Sequence, residues 1–181
     1  MIELNLETLK AIDDHVWLAY LAALLVMFPL ALNKRYIGSS FITVLTVTVV
    51  VWFMDSYRDF MLPIINDEAL IAQYRTLIRY AWYYGFAGFA TAMMVIIWRV
   101  HVAFIIPYSY LTRTILLIHA FVVVLQMTRL LERQSFKNEL IGETVYQWSI
   151  ILVNISSAGL AIVFALLAWY ASAKKMMIRG I

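Results

Sequence analysis

The sequence predicts an all-α, polytopic integral membrane protein with five transmembrane helices, and three observations support this fold class. Of the 181 residues, 64% are hydrophobic and 14% are charged, and the mean hydropathy is +0.84, far from the average of soluble proteins. Charged residues separate long apolar runs, each comparable with the roughly 20 residues that a helix needs to cross a bilayer. No linker or repeat divides the chain, so we expect one transmembrane helical domain over residues 1–181.

Charged residues mark the ends of the predicted spans. The uncharged runs contain 19 residues in each of the first three, 15 in the fourth and 30 in the fifth. The fourth run, from Arg113 to Arg129, is short, so it can cross the membrane only if its arginines snorkel or the bilayer thins. The alternative is a protein with four spans, in which this segment lies at the membrane interface. The five spans are predicted at approximately 15–33, 37–54, 80–98, 111–129 and 146–172.

On one side of the membrane the helices are predicted to continue as extensions, which together form a helical cap. Pro63 is expected to end the second helix, and residues 66–68 then offer a cap and first-turn acids for the third. Apolar residues at helical spacing predict that the third helix continues unbroken into its span. Residues 6–12 extend the first helix backwards, and the fourth continues to about Asn138, before Gly142.

Basic residues predict the orientation. The segments 33–36, 99–113 and 174–181 hold seven Lys and Arg and no acid, whereas the other side holds seven basic and all 11 acidic residues. Dense basic residues in short loops are typical of the cytoplasmic side. We therefore expect the N-terminus outside and the C-terminus in the cytoplasm, in a bacterial inner membrane. The seven basic residues on the inner side then favour anionic lipid headgroups as a partner. The net charge of +3 reflects this topology and need not imply nucleic-acid binding.

The predicted outer cap carries a charged cluster. Asp55, Arg58 and Asp59 follow the second span, and Arg75 and Arg79 precede the third. The functional interpretation is an ion or partner site at an outer mouth, because Asp55 and Asp59 lie one helical turn apart. The structural interpretation is ordinary pairing between helix ends, which contributes about 0–1 kcal/mol per exposed pair.

Two helices carry rows of small residues that predict helix-packing seams. Lipid is as apolar as leucine, so close backbone approach over small residues is a main route by which membrane helices associate. The pattern does not distinguish contacts within one protomer from contacts between protomers. The rows are Ala81, Gly85, Gly88 and Ala92 on the third helix, and Asn154, Ala158, Ala161, Ala165 and Ala168 on the fifth.

A polar stripe runs along the fourth helix. Thr112, His119, Gln126 and Arg133 recur every seven residues, with Arg129 at the end of the span. This repeat drifts by only about 20° per step, so the side chains share one face. Because a polar group facing lipid is unsatisfied, we expect this face to look towards other helices or water.

Two accounts of this stripe stay open. In the functional one, His119 titrates and lines a hydrated path or ligand cavity together with Gln126 and Arg129. In the structural one, His119 is neutral, and it and Gln126 form hydrogen bonds with neighbouring helices. The candidate partners are Thr43, Thr46, Asn154 and Ser157.

No catalytic, metal or cofactor motif is present, so we expect a protein that is not an enzyme and binds no cofactor. The chain has no cysteine, no H-E-x-x-H, no G-x-S-x-G and no phosphate-binding loop. Haem between two histidines is disfavoured, since His101 is predicted just beyond the inner end of the third span, about 12 Å in depth from His119. Acidic residues avoid the spans, which argues against a carboxylate proton relay.

Two principal functions follow. The first is a homo-oligomeric channel or pore-like assembly with Thr112, His119 and Gln126 towards the lumen. The second is a non-catalytic membrane subunit or interaction protein that docks a partner through its outer helical cap. An enzyme subunit that contacts a quinone or lipid near His119 is a weaker third. The expected partners are the lipid bilayer and either a second copy or another membrane protein.

Overall fold

The computed structural model is all-helical over the residues that it describes, which are 11, 13–32, 38–135 and 141–178. Asp67 alone separates the second and third helices, and Gly142 precedes the fifth; we call this end of the bundle the hairpin end. Gly38 and the segment 104–109 lie at the other end, the loop end. The helices are α1 Val16–Leu32, α2 Ser39–Asn66, α3 Glu68–Ala103, α4 Tyr110–Ser135 and α5 Glu143–Ile178.

Four of these helices, α2 to α5, are long and apolar enough to cross a membrane. The protein is therefore a multi-pass, helical membrane protein. α1 is equally apolar but has 17 residues, which by helical rise is about 26 Å, a little less than the ~30 Å of hydrocarbon. A fifth span through α1 remains a prediction.

The fourth helix continues beyond its predicted span, as its predicted extension requires. α4 has 26 residues and continues past Arg129 to Ser135. Arg129 is 1% exposed and Glu132 is 4% exposed, so both face protein. A charged residue marks the end of a span only where it faces water, so the buried Arg129 is a poor marker of where the fourth span ends.

Pro63 does not end α2, contrary to prediction. The helix continues to Asn66 with Pro63 inside it, just as α1 contains Pro29. A proline removes one N–H donor and crowds the carbonyl four residues earlier. Only one further turn of α2 follows Pro63, so few backbone hydrogen bonds depend on this position.

Asp67 caps α3, in agreement with the prediction for residues 66–68. Its Oδ1 accepts the N–H groups of Ala69 and Leu70 at 2.9 and 3.1 Å. α3 then runs to Ala103, but its backbone leaves helical geometry at Tyr74 (φ −124°, ψ 24°), so the predicted unbroken helix is kinked. The predicted extensions through residues 6–12 and 136–138 fall outside the described residues, apart from Ala11.

α1 packs mainly against α5, and α3 packs against α2 and α4. Tyr20 of α1 hydrogen-bonds to Ser157 of α5, and the Trp169 indole N–H of α5 donates to the Val26 carbonyl of α1. These contacts set α1 beside the second half of α5. The first part of α5 therefore extends past the start of α1.

α2 and α3 also extend past α1 at the hairpin end. Arg58 of α2 pairs with Asp14, next to α1, at 2.9 Å, and the Tyr57 hydroxyl donates to the Ala81 carbonyl at 2.7 Å. Residues 59–80 therefore lie beyond the first turn of α1. We call this segment the helical hairpin.

Candidate functional site

Most of the polar residues predicted on the fourth helix lie on the face of α4 that is buried in the bundle. Thr112, His119, Gln126 and Arg129 are 0%, 5%, 4% and 1% exposed. Arg133, at the hairpin end, is half-buried. α4 packs against α2, α3 and α5 of the same chain, so these side chains are enclosed within one protomer.

Thr112 belongs to a cluster of hydroxyl groups at the loop end. Its Oγ1 lies 2.5 Å from Ser39 Oγ, 2.7 Å from Thr43 Oγ1 and 2.8 Å from Ser109 Oγ. Ser109 Oγ accepts the Thr112 N–H at 3.1 Å, which caps the start of α4. The cluster therefore ties the first turn of α2 to the first turn of α4.

His101 is part of the same cluster, which corrects its predicted position beyond the third helix. α3 extends to Ala103 and buries His101 to 2% exposure. Its Nδ1 lies 2.7 Å from the Ile97 carbonyl, and since a carbonyl only accepts, Nδ1 carries the proton. Nε2 lies 2.7 Å from Ser39 Oγ, and this hydrogen bond joins α3 to α2.

An open cavity of about 720 Å³ adjoins this cluster. It lies between the loop-end parts of α1, α2 and α5 and the segment 105–109. Ser39, Ser40 and Ser109 form its polar part, and Phe41 and Leu167 are among its apolar walls. The cavity is large enough for a small molecule.

His119 is bonded within its own helix. Its Nδ1 donates to the Ile115 carbonyl at 2.9 Å, and in the described part of the chain its Nε2 has no hydrogen-bond partner. The residues considered as partners bond elsewhere: Thr43 to Thr112, Asn154 to Asp13, and Ser157 to Tyr20. In the described part of the chain, His119 therefore forms no hydrogen bond to another helix.

Gln126 and Arg129 connect α4 to α5 near the hairpin end. Gln126 accepts the Tyr146 hydroxyl at 2.7 Å. Arg129 Nη1 donates to Glu132 at 2.9 Å and to the Ile141 carbonyl at 2.8 Å, and Glu132 accepts the Ile141 N–H. The buried Arg129–Glu132 pair therefore binds the backbone of Ile141. Its direct role in the structure is to hold the segment before α5 against α4.

The predicted outer charged cluster is divided into two groups. In the acidic group, Arg58 lies 2.9 Å from Asp14, 3.9 Å from Asp55 and 3.6 Å from Asp59. Asp13 stands nearby and accepts the Asn154 amide at 2.9 Å. Burial raises the pKa of Asp13 from 3.8 to about 6. Arg58 is therefore the shared ion-pair partner of Asp14, Asp55 and Asp59.

The basic group lies on the other side of the hairpin end. Arg75 and Arg133 are both close enough to Arg79 to repel its charge. Arg79 Nη1 donates to the Arg133 carbonyl at 3.1 Å, and Arg133 pairs with Glu143 at 3.1 Å. The structure therefore separates Arg75 and Arg79 from the carboxylates with which the sequence grouped them.

The small-residue row of α5 is buried within the protomer. Ala158, Ala161 and Ala165 are 3%, 1% and 1% exposed and belong to the core shared with α1. Asn154 and Ala168, towards the two ends of the row, are half-buried. This row packs α1 against α5.

The row of α3 is split between two surroundings. Ala81 and Gly85 are half-buried, and a Cβ added at Gly85 would clash with the Tyr57 ring. Gly88 and Ala92 are exposed. The buried face of this helix lies elsewhere, at Ala87, Ala90, Met93, Ile97 and His101.

The loop-end cluster contains polar residues that the sequence analysis did not single out as a site. Ser39, Ser40 and Ser109 stand at the starts of α2 and α4, and His101 lies in the last turn of α3. Hydroxyl residues at helix starts are an ordinary capping signal. That signal locates each residue on its helix, but it does not show that the helix ends meet.

Comparison of the chain with protein-family models, with curated proteins and with solved structures finds no match.

Proposed function

We propose that this protein is a non-catalytic membrane subunit or interaction protein that docks a partner through the helical cap at its hairpin end. The observation that supports this function is the set of large apolar side chains exposed on the helical hairpin. Two lie near the end of α2 and three near the start of α3, where Leu70, Tyr74 and Leu77 share one face. The five are Phe60, Leu62, Leu70, Tyr74 and Leu77, with exposures of 66%, 41%, 37%, 45% and 65%.

Two features support a position of this apolar surface beyond the hydrocarbon of the membrane. The charged group around Arg58 lies at the start of α1, where a charge is expected only near water. Tyr80 and Tyr84 stack at 5.6 Å close to Trp82, and such aromatic groups favour the membrane interface. Apolar side chains farther out are not covered by lipid tails, and a contiguous exposed apolar patch is typical of a protein contact.

We propose that the occupant of this surface is a different membrane polypeptide and that the hairpin end faces outside. The loop end then faces the cytoplasm of a bacterial inner membrane. Support for this orientation comes from exposed Arg99 and Arg113, together with the basic, acid-free composition of the other loop-end segments. A second copy of the chain is the competing occupant.

Site-specific photo-crosslinking in living cells tests the docking proposal. A benzophenone side chain at Leu77 should capture one other polypeptide, whereas the same group at Leu117, which is 72% exposed on α4, should not capture it. Native mass spectrometry after mild extraction should show that polypeptide in a fixed stoichiometry, and Leu77→Glu should abolish the complex without unfolding the bundle. Adducts only with lipid, or only with a second copy, would refute docking of a different protein.

A homo-oligomeric channel or pore-like assembly is the second candidate. The observation in its favour is the line of buried polar side chains through α4, with His119 Nε2 unbonded in the described part of the chain. Because these side chains are enclosed within one protomer, a path along them runs through each bundle, and exposed Gly88 and Ala92 are available for contacts between copies. Proteoliposome flux that falls in His119→Ala and Gln126→Ala, while both variants stay folded, would favour this candidate over docking.

A further inference from the structure

A polar cleft of about 370 Å³ opens at the hairpin end, away from the loop-end cavity. Thr76, Arg79 and Tyr80 of α3 line one wall, and Arg133 and Gln134 of α4 line the other. The three α3 residues have the i, i+3, i+4 spacing that places side chains on one helix face. All five side chains carry hydrogen-bond donors.

The charge at this cleft is positive. Arg75 precedes Arg79 by one helical turn, and Arg133 lines the opposite wall, where its carbonyl accepts Arg79 Nη1 at 3.1 Å. Neither Arg75 nor Arg79 forms an ion pair with an acid in the described part of the chain, whereas Arg133 pairs with Glu143. Two arginines one turn apart on one helix destabilise each other unless an anion lies between them.

From the aromatic residues around it, we expect the cleft to lie at the level of a lipid phosphate. Tyr80 is in its wall and stacks on Tyr84, within the aromatic group that includes Trp82. Aromatic residues of this kind collect at the headgroup level of a bilayer. Arg79 is half-buried there, and its charge points to a ligand at the membrane surface.

We propose that this cleft binds a phosphate group, with Arg79 as the principal charged contact, Thr76 and Tyr80 as supporting donors, and Arg75 beside the cleft adding to its positive potential. A guanidinium presents several N–H groups in a planar fork that matches phosphate oxygens, and hydroxyl groups supply further donors around a tetrahedral anion. The same chemistry fits the headgroup of an anionic phospholipid and free inorganic phosphate. The cleft lies on a different side of α3 from Leu70, Tyr74 and Leu77, so this site does not depend on the docking proposal.

Binding measurements on the purified full-length protein separate the two sources. For the lipid, native mass spectrometry counts phosphatidylglycerol molecules retained from mixed micelles, with diacylglycerol as the analogue without a phosphate. For the free ion, calorimetry follows inorganic phosphate, with chloride as the comparison. We expect retention of phosphatidylglycerol but not diacylglycerol if the source is lipid, and a saturable phosphate isotherm if it is the free ion; either result supports the site.

Arg79→Gln is the test variant and Arg113→Gln is its matched control. Glutamine keeps a donor for the Arg133 carbonyl but removes the charge, so binding should weaken about tenfold, the loss expected for one charge-assisted hydrogen bond. Arg113 is exposed at the loop end, and its substitution changes the net charge equally without touching the cleft. Arg75→Gln, in which no described hydrogen bond is lost, should weaken binding about twofold to fivefold by lowering the local potential.

Three results would overturn the proposal. Equal losses of binding affinity in Arg79→Gln and Arg113→Gln would show general electrostatic adsorption. Retention of diacylglycerol equal to that of phosphatidylglycerol would show that no phosphate is recognised. Binding of an acidic peptide, such as oligoglutamate, with neither phosphate ligand bound would assign the cleft to a protein carboxylate. If Arg79→Gln unfolds, Arg75→Gln decides alone, and unchanged binding in that variant would refute the site.

Discussion

At the scale of single residues, Asp13 shows how a helix contact changes the chemistry of a carboxyl group. Its Oδ1 accepts the Asn154 amide at 2.9 Å, and this contact holds it against α5. Burial raises its pKa from 3.8 to about 6, although the hydrogen bond and Arg58 favour the charged form. The folded protein therefore binds a proton on Asp13 more tightly than the unfolded chain does.

This difference predicts that the stability of the bundle falls as the pH rises. Between about pH 4 and pH 6 the folded state keeps a proton that the unfolded state has lost, so the contribution of Asp13 is complete below the unfolded pKa and is lost as the pH rises through the folded pKa. The loss is at most about 3 kcal/mol. The free energy of unfolding in detergent, measured across this range, should decline less in Asp13→Asn than in the wild type.

Asp59→Asn is the control for this measurement. The Asp59 side chain is 70% exposed, so its substitution should leave the pH profile close to that of the wild type. Identical profiles for Asp13→Asn and the wild type would contradict the role assigned to burial.

At the scale of the helices, the two glycines of α3 have different surroundings. The Tyr57 ring of α2 lies over Gly85, where its hydroxyl donates to the Ala81 carbonyl at 2.7 Å. Phe86 and Phe89 hold that ring with centroid distances of 5.6 and 5.4 Å. Gly88, one turn later, has nothing within 4 Å of an added Cβ. Only Gly85 is therefore required for the close approach of α2 and α3.

Gly85→Ala should destabilise the protein, and Gly88→Ala should not. The new methyl at Gly85 must displace the Tyr57 ring and its hydrogen bond, and overpacking of this kind costs about 1–3 kcal/mol. Alanine at the open Gly88 position should be neutral or slightly stabilising, by up to about 1 kcal/mol, through helix propensity. Thermal unfolding of both variants in the same detergent compares them directly.

The double variant Tyr57→Leu with Gly85→Ala provides a further check. Because leucine removes the ring that the methyl would meet, the cost of Gly85→Ala should be smaller in this background. An equal cost in both backgrounds would show that Tyr57 is not the cause.

At the scale of the whole molecule, the two ends of the bundle differ in charge. The hairpin end holds acidic and basic groups that pair across helices, such as Arg58 with Asp14 and Arg133 with Glu143. At the loop end, Arg99 and Arg113 are exposed, and Lys174 and Lys175 lie in the last turns of α5. In a membrane, such an asymmetry favours the loop end in the cytoplasm.

Single cysteines can test this orientation, because the sequence contains no cysteine. A membrane-impermeant maleimide applied to intact cells should label Glu68→Cys at the hairpin end. It should label Ile105→Cys, at a loop-end position that is 90% exposed, only after the cells are permeabilised. The reverse pattern would place the loop end outside and would reverse the proposed topology.

Much of the helical framework was predictable from the sequence, because hydrophobicity and capping act locally. The long apolar helices and the cap at Asp67 follow from runs of apolar residues and from one well-placed carboxylate. The effect of Pro63 was predicted wrongly, because a local signal was overestimated. The continuation of α4 past Arg129 was predicted and is confirmed as far as Ser135.

The candidate site was less predictable, since it depends on which helix faces meet. Periodicity showed that Thr112, His119 and Gln126 share a face of the fourth helix. It did not show that Thr112 would contact Ser39, or that His101 would join them. Each of those contacts joins residues more than 60 positions apart in the chain, and no local pattern encodes such a distance.

The sequence by itself determined the class of this protein and the positions of most of its helices, because each helix must satisfy its own backbone hydrogen bonds in a bilayer. Only the tertiary structure decided which polar groups are satisfied. It buried the Arg129–Glu132 pair, separated Arg79 from Asp55 and left Gly88 exposed. These outcomes depend on the rotation of each helix against its neighbours, which side-chain packing between distant segments fixes.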